Sequence, residues 1–481
     1  MALADFLAEL VECGELKRVA APVDARLEVA EITRRVAEAA GPALLFANVR
    51  GHSLPVVTNL LGTEARACRA LGDATLEDLP NWLEELAAKL SPPTWLDRFK
   101  LTSEPASAEK FRPKAVKTAP CQQVVRLGRD IDLTSLPALQ CWPAESNVVL
   151  CGRLIIPGSE NRHEVVSCRF AVLDSQRLAL LDDGQDCIAR LRQAAGEHSA
   201  QPVALAIGGD PLQGIAAAVR WPEGADDYLL CGLLRGRPLE VVKARSQPLE
   251  VPADADMVLE ATVESNFNAA DVLAGGLWSE HYAQPSPNMV LQVGALTQRT
   301  SPILPAIVPH HCGELQVLAR INERILFSQL RVRTPEIVNL ALPPWGGPQG
   351  YAVVSMHKAH AAHARQVAAA VWGWPCLRGV KFLLLVDADV DVHDTRQVLA
   401  RVAANVHPAR DVFFHTGPAF STDHATPQSP VGSALGIDAT AKLPAEHPGG
   451  WPQPLVAGED LRQAVAARWS ELGLPAEWLP K

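Results

Sequence analysis

The hydrophobic pattern of this chain changes period twice, and that double change limits the folds open to it. Between residues 124 and 300 the apolar residues come in short runs, at 148–150, 154–156, 165–173, 203–207, 228–234, 257–263 and 289–293, parted by Gly- and Pro-bearing turns. Runs of that length and spacing predict a mostly antiparallel β-domain closing into a barrel. The flanks read differently. Phe6, Leu7, Leu10 and Val11 mark a helix over 5–16 that stops at Gly14, and 28–40 forms a second helix closed by Gly41-Pro42. A short buried strand follows at 43–46. Ser91-Pro92-Pro93 opens a polar stretch to Lys117 that reads as a linker. Beyond the central stretch, strands at 352–356 and 382–386 alternate with helices at 360–372 and 395–404, and a late helix covers 459–471. Such alternation predicts layered α/β structure. The expected organisation is an N-terminal α/β domain with linker (1–117), a central β-barrel (118–318) and a C-terminal α/β domain (319–481).

Composition narrows the function classes. Lys and Arg number 44 against 54 Asp and Glu, a net charge of −10 with no long basic run, which argues against a nucleic-acid or anionic-membrane partner. No window of about 18 apolar residues predicts a membrane helix. The acid at Asp5 and the missing basic n-region predict no signal peptide. The ten cysteines are scattered, with no CxxC pair, and read as reduced thiols of a cytoplasmic protein.

Several segments carry more specific information. Gly275-Gly276-Leu277-Trp278-Ser279-Glu280 resembles the Glu-Gly-Pro-Phe-Gly-Glu signature of the UbiD family. Gly41-Pro42-Ala43-Leu44-Leu45-Phe46 with Asn59-Leu60-Leu61-Gly62, Pro202 through Pro211, Val251 through Glu260, Leu296 through Ile303, Val386 through Val392 and Ile437-Asp438-Ala439-Thr440 are similar to further family segments in the same order. The chain is therefore identified as a divergent member of that family. The resemblance implies an N-terminal α/β domain, a central split β-barrel related to flavin reductases and a C-terminal α/β domain used for oligomerisation. It also implies reversible (de)carboxylation of an aromatic or heteroaromatic acid with prenylated FMN, CO₂ being the other reactant, and a homodimer or larger homo-oligomer.

Decarboxylating an unsaturated acid leaves a carbanion, so the chemistry needs an electron sink, a cation for the carboxylate and an acid to return one proton. By resemblance Arg169, in Glu164-Val165-Val166-Ser167-Cys168-Arg169, takes the carboxylate-binding and cofactor-side position, and Glu280 takes that of the proton donor. A structural Arg169–Glu280 ion pair is the alternative. The family's other catalytic glutamate maps to Gly275, which removes a charge and is expected to leave room for water or a substrate group; Glu264 or Asp271 are candidate substitutes. The metal-ligand positions map to Glu164, Asp186 and Asp227, all acidic. They suit Mg²⁺ or Mn²⁺. Beside a phosphate of about −1.5 to −2 they call for an extra cation such as K⁺, or for loss of the phosphate site. Lys381 maps to a phosphate-contacting lysine, the alternative being an exposed lysine at a strand start.

Other signals carry less. His357, His360 and His363 recur every three residues, a spacing that drifts around a helix and spreads their rings. Pro309-His310-His311-Cys312 holds three potential ligands with no spaced partner and reads as a loop. Gly208-Gly209-Asp210-Pro211 is a turn. Asp387, Asp389 and Asp391 at a strand end suit capping or subunit contact better than cation binding. Two functions stay open: a UbiD-like carboxy-lyase, favoured by Arg169 and Glu280, and a non-catalytic subunit paired with a second UbiD-like chain, as in phenylphosphate carboxylase, favoured by Gly275 and the three acids. An ordinary flavin reductase is a third reading, resting on the barrel alone.

Overall fold

The computed structural model describes residues 1–72, 74–90, 109–158, 162–181, 191, 200–218, 226–264, 272–278, 281–283, 289–343, 350–419, 423, 425, 431–452, 455 and 458–475. At the N-terminus the helix Leu3–Glu12 buries Leu3, Phe6, Leu7 and Leu10, the one-sided spacing expected of an amphipathic helix. The chain turns at Gly14, whose φ of +73° suits glycine. Strands β1 (Leu16–Val19) and β2 (Ala43–Phe46) pair in parallel, and β2 runs antiparallel to β3 (Val56–Thr58). The helix Glu28–Glu38 connects β1 to β2.

The two-residue strand β4 (Lys114–Ala115) starts the central region, followed by β5 (Val124–Leu127), β6 (Val149–Pro157), β7 (His163–Val172), β8 (Arg177–Leu180), β9 (Ala200–Ile207), β10 (Glu240–Lys243), β11 (Glu250–Pro252), β12 (Met257–Glu264), β13 (Ala274–Gly275), β14 (Tyr282–Ala283) and β15 (Val290–Gln298). The strand order β12-β9-β6-β7-β8-β15, with β12 pairing back onto β15, closes a six-strand barrel to which β5 adds at β15. Closure leaves few strand edges exposed. Alternate residues of each strand fill the interior: Leu150, Leu154 and Ile156 meet Val166, Cys168, Phe170, Leu205, Leu259 and Leu291 in one core. The opposite face of β6 and β9 is covered by β10 and β11, through Ile155, Ala204, Ala206, Val241 and Val251.

The next strand, β16 (Leu304–Pro305), leaves the barrel and pairs in parallel with β3, so the N-terminal sheet is completed from beyond the barrel. The 20-residue helix Glu314–Arg333 leads into β17 (Ile337–Ala341), β18 (Tyr351–Met356), β19 (Phe382–Asp387), β20 (Val412–Pro418) and β21 (Val431–Asp438), ordered β17-β18-β19-β21-β20. β18, β19 and β21 are parallel, and the two edge strands are antiparallel. This is the α/β and β architecture expected from the sequence.

One expected strand is a helix. The apolar run at 228–234 lies in the helix Asp227–Arg235, where the Asp226 side chain accepts from Tyr228 N and Leu229 N and Gly236 ends the helix at φ 70°. The N-cap acid and C-terminal glycine outweigh a run that hydrophobicity alone leaves ambiguous. Among the described residues no helix is long and apolar enough to cross a membrane.

Candidate active site

Arg169 sits near the C-terminal end of β7 and is only 4% exposed. Its Nη2 donates to the Gly275 carbonyl at 2.9 Å. Gly275 belongs to β13, which pairs with β14 as Gly275↔Tyr282 and Ala274↔Ala283, while Gly276 N donates to His281 O at 3.0 Å. The buried arginine is thus bonded to the base of the β13–β14 pair that flanks, in sequence, Glu280. Glu280 lies outside the described residues, as do Asp186 and Asp271.

A second segment, 141–146, packs onto the same pair. Glu145, 5% exposed, accepts from Gly275 N at 2.8 Å through Oε1, and from Cys141 N at 2.6 Å and Trp142 N at 3.0 Å through Oε2. Ser146 N donates to Leu273 O, Leu273 N donates to Ser146 Oγ, and Ala144 N donates to the Tyr282 hydroxyl. Three N–H donors compensate a carboxylate that would be costly to bury without partners. Burial, then the charge of Glu145, pushes the Cys141 thiol pKa upward, which makes it a poor nucleophile.

The room expected at Gly275 is absent. A Cβ there would lie 2.2 Å from Trp142 Cδ1 and 2.5 Å from Nε1, so the indole occupies the space a side chain would enter. Arg34 stacks over that indole at 4.5 Å and donates to Cys141 O at 3.2 Å, holding the ring in place. Of the candidate substitute acids, Glu264 ends β12 exposed. Among the described residues, the carboxylate bonded to Gly275 is that of Glu145. The sequence signal for it was faint: an acid three residues after a tryptophan in a Pro-bearing turn. Its importance comes from contacts with residues 273–282.

The other end of β7 carries Glu164, half-buried. Asp227, 6% exposed at the first turn of the helix Asp227–Arg235, accepts from Val165 N at 2.6 Å through Oδ2. That N–H points away from β6, and β8 pairs only with Phe170–Val172, so Asp227 caps a stretch of β7 edge. The structure therefore brings Asp227 beside Glu164 in the chain. His163 stacks on Tyr228 at 4.3 Å and lies 3.6 Å from Asp226. A small cavity next to it is lined by Arg153, Val165, Asp227, Tyr228 and Cys231.

Glu164 and Arg169 do not share a face of β7. The β6–β7 register runs unbroken from Val149↔Ala171 to Pro157↔His163. Without a bulge, side chains alternate, so Glu164 falls with Val166, Cys168 and Phe170, and Arg169 with Val165 and Ala171. A ligand touching both positions must reach both faces of β7.

Lys381 immediately precedes β19, and its Nζ donates to both carboxylate oxygens of Asp423 at 3.0 and 3.1 Å. Its charge is already partnered. The donor set of the Glu164 end, carboxylate oxygens from Glu164 and Asp227, fits a hard divalent cation such as Mg²⁺ or Mn²⁺. It fits a bare phosphate poorly, because like charges repel. A flavin phosphate is compatible with this end through such a cation.

The discounted histidines divide. His363 is buried, with Nδ1 accepting from Ala359 N and Nε2 3.2 Å from Glu336, so it is a structural residue at the start of the helix His363–Gly373. The donor atoms of His310, His311 and Cys312, by contrast, all lie within 4.8 Å of one another.

Comparison with known proteins places these features in context. Residues 7–86, 114–312 and 316–439 match the N-terminal, Rift-related and C-terminal domains of the 3-octaprenyl-4-hydroxybenzoate carboxy-lyase (UbiD) family. The chain is similar to the UbiD-class enzyme HmfF from Pelotomaculum thermopropionicum in complex with FMN, with 25% identity and a TM-score of 0.77 over 96% of this chain and 98% of that one. An evolved dimeric form of HmfF in complex with prFMN gives 25% identity and a TM-score of 0.76 over the same shares. Vanillic acid decarboxylase of Sedimentibacter hydroxybenzoicus in closed form shares the fold, with 23% identity and a TM-score of 0.84 over 98% of this chain and 99% of that one.

Proposed function

The chain belongs to the UbiD family, and from that premise we propose that it is a carboxy-lyase acting reversibly on an aromatic or heteroaromatic acid with prenylated FMN. The observation that carries this reading is Arg169: a buried cation bonded to the base of the pair flanking Glu280 in sequence. A guanidinium fork pairs with a carboxylate and keeps its charge when desolvated. Prenylated FMN, when bound, supplies the electron sink for the carbanion left as CO₂ departs. Arg169 holds the substrate carboxylate and orients it. Glu280 delivers a proton to the carbon that lost CO₂. Trp142 and its Arg34 cover keep water from the space beside Gly275. Glu164 and Asp227, with Asp186, would hold Mg²⁺ or Mn²⁺ against the cofactor phosphate, with K⁺ offsetting excess negative charge. Lys381 would have to exchange Asp423 for the phosphate to serve as its partner.

The family relatives in complex with FMN and prFMN support the flavin part of this reading, and the dimeric HmfF form supports self-association of this chain. The test is the absorption spectrum of the protein purified after coexpression with a flavin prenyltransferase. A near-ultraviolet flavin-type band that coelutes with the protein is the expected result; a colourless protein contradicts it. The second reading, a non-catalytic subunit of a hetero-oligomeric complex with another UbiD-like chain, is favoured by Trp142 standing where a residue-275 side chain would be. It predicts a colourless protein that copurifies with such a partner.

A further inference from the structure

We propose that His310, His311 and Cys312 form a binding site for a borderline d-block cation, Zn²⁺ by preference, with Glu38 as the outer partner of His310. The site is separate from the barrel chemistry and does not rest on it.

In an extended chain three consecutive side chains cannot converge, because the middle one points the other way. Here the backbone bends at His311 and Cys312, and the three donor atoms come within 4.8 Å of one another. His310 Nδ1 faces the cysteine and accepts from Cys312 N at 3.3 Å, a bond the nitrogen exchanges for the metal, while Nε2 lies 3.4 Å from Glu38 Oε1. A ligating histidine usually gives its second N–H to a carboxylate in this way, which fixes the tautomer and raises the basicity of the first nitrogen. Glu38 ends the helix Glu28–Glu38. The loop is pressed against that helix: Gly313 has φ +69°, and a Cβ there would lie 2.8 Å from the Ala37 Cβ, so the close approach depends on glycine. His310 and Glu38 are thereby held on facing elements.

The donor types select the ion. Two imidazoles and a thiolate favour Zn²⁺-class ions over Mg²⁺ or Ca²⁺, which prefer oxygen. Zn–N bonds of about 2.0–2.1 Å and Zn–S bonds of about 2.3 Å separate tetrahedral donors by roughly 3.5 Å, so binding asks the donors to close by about 1 Å. The exposed His311 ring, tilted against His310 at a centroid distance of 4.3 Å, supplies that movement by tipping inward. The Cys312 thiol loses its proton to solvent as the metal–sulfur bond forms, and water takes the fourth position.

The experiment titrates the full-length protein with Co²⁺, then displaces it with Zn²⁺. The expected result is a sulfur-to-cobalt charge-transfer band in the near ultraviolet, saturating at one ion per chain and abolished by Zn²⁺. Cys312→Ser should lose the band, His311→Ala should weaken binding at least tenfold, and Glu38→Gln should keep the band while lowering affinity about 10–100-fold. His311→Ala changes an exposed side chain and Glu38→Gln keeps its shape, so both should fold, and an unchanged metal-free melting temperature verifies it. Absence of the band in the wild type overturns the proposal. So does a band that survives Cys312→Ser, or cobalt bound without the band by the barrel carboxylates alone.

Discussion

The two ends of β7 are built on different principles. At the Arg169 end, one cation is buried and donates to a carbonyl, and the segment carrying that carbonyl is tied by Glu145 to a stretch of chain 130 residues away. At the Glu164 end, two acids stand near a strand edge, and Asp227 spends one carboxylate oxygen on Val165 N. The first arrangement positions its cation with groups of the protein. The second gathers carboxylates, and Lys381, which maps to the family's phosphate contact, is neutralised by Asp423. A site can preorganise charge recognition at one end while the other end depends on an added ion.

The largest effect should come from Arg169→Ala. If the Arg169 end recognises the carboxylate, this variant loses binding of an aromatic carboxylate such as benzoate by at least 100-fold in calorimetry, roughly the worth of a charge-assisted bidentate contact. Unchanged binding would break the comparison outright. Next is Gly275→Glu, the residue the family signature carries. Because Trp142 fills the space, the single change should destabilise the fold by about 1–3 kcal/mol as an overpacked site does. Paired with Trp142→Ala the loss should shrink, giving a coupling of about 0.5–3 kcal/mol in a double-mutant cycle read by denaturant unfolding. Strict additivity would show that the indole does not occupy that space in solution.

Glu145→Gln sharpens the comparison further. The amide turns an NH₂ group toward N–H donors, so melting should report a loss of about 1–3 kcal/mol from unsatisfied buried groups. Carboxylate affinity should fall along with it, as the Gly275 carbonyl that steadies Arg169 shifts; a loss of stability with unchanged affinity would assign Glu145 to packing alone. At the other end of β7, the dependence is on added ion. EDTA should lower the melting temperature of flavin-loaded protein, Mg²⁺ or Mn²⁺ should restore it, and Glu164→Ala should abolish the restoration while leaving benzoate binding by the flavin-free protein unchanged.

The smallest effect is a pH dependence that lies outside both ends. Burial alone would raise the Asp411 carboxyl, but bonds from Arg410 and His407 N, with the Lys442 charge, hold it at about 2, below its ordinary 3.8. A lowered folded pKa adds stability that is full above about pH 4 and is lost as pH falls through about 2. Asp411→Asn should therefore cost at most about 2 kcal/mol at pH 7 and nothing below pH 2, measured by unfolding across that range. An Asp411→Asn cost that persists below pH 2 would contradict this origin.

The three-part plan was legible because hydrophobic period is a local property. The runs at 203–207, 257–263 and 289–293 became β9, β12 and β15, and the alternation around 352–404 became the C-terminal sheet and its helices. The run at 228–234 was misread because its apolar content fits strand and helix alike, although Asp226 and Gly236 marked a helix. The odd spacing of Glu164 and Arg169 already implied opposite faces of one strand. What could not be read was non-local. Nothing near Gly275 indicates that Trp142 fills its side-chain space, or that Glu145 supplies the adjacent carboxylate. Lys381 gives no sign of Asp423, nor His310 of Glu38. Each of these pairs is made by the folded topology.

The most direct measurement is isotope exchange by the flavin-loaded protein: candidate aromatic acids incubated with ¹³CO₂, followed by mass spectrometry, beside Arg169→Ala loaded to the same flavin content. The account predicts ¹³C incorporation into the carboxyl group of at least one acid with the wild type and none with Arg169→Ala. Incorporation that is equal in both, or a flavin-loaded wild type that exchanges no acid of the aromatic and heteroaromatic classes, would contradict it.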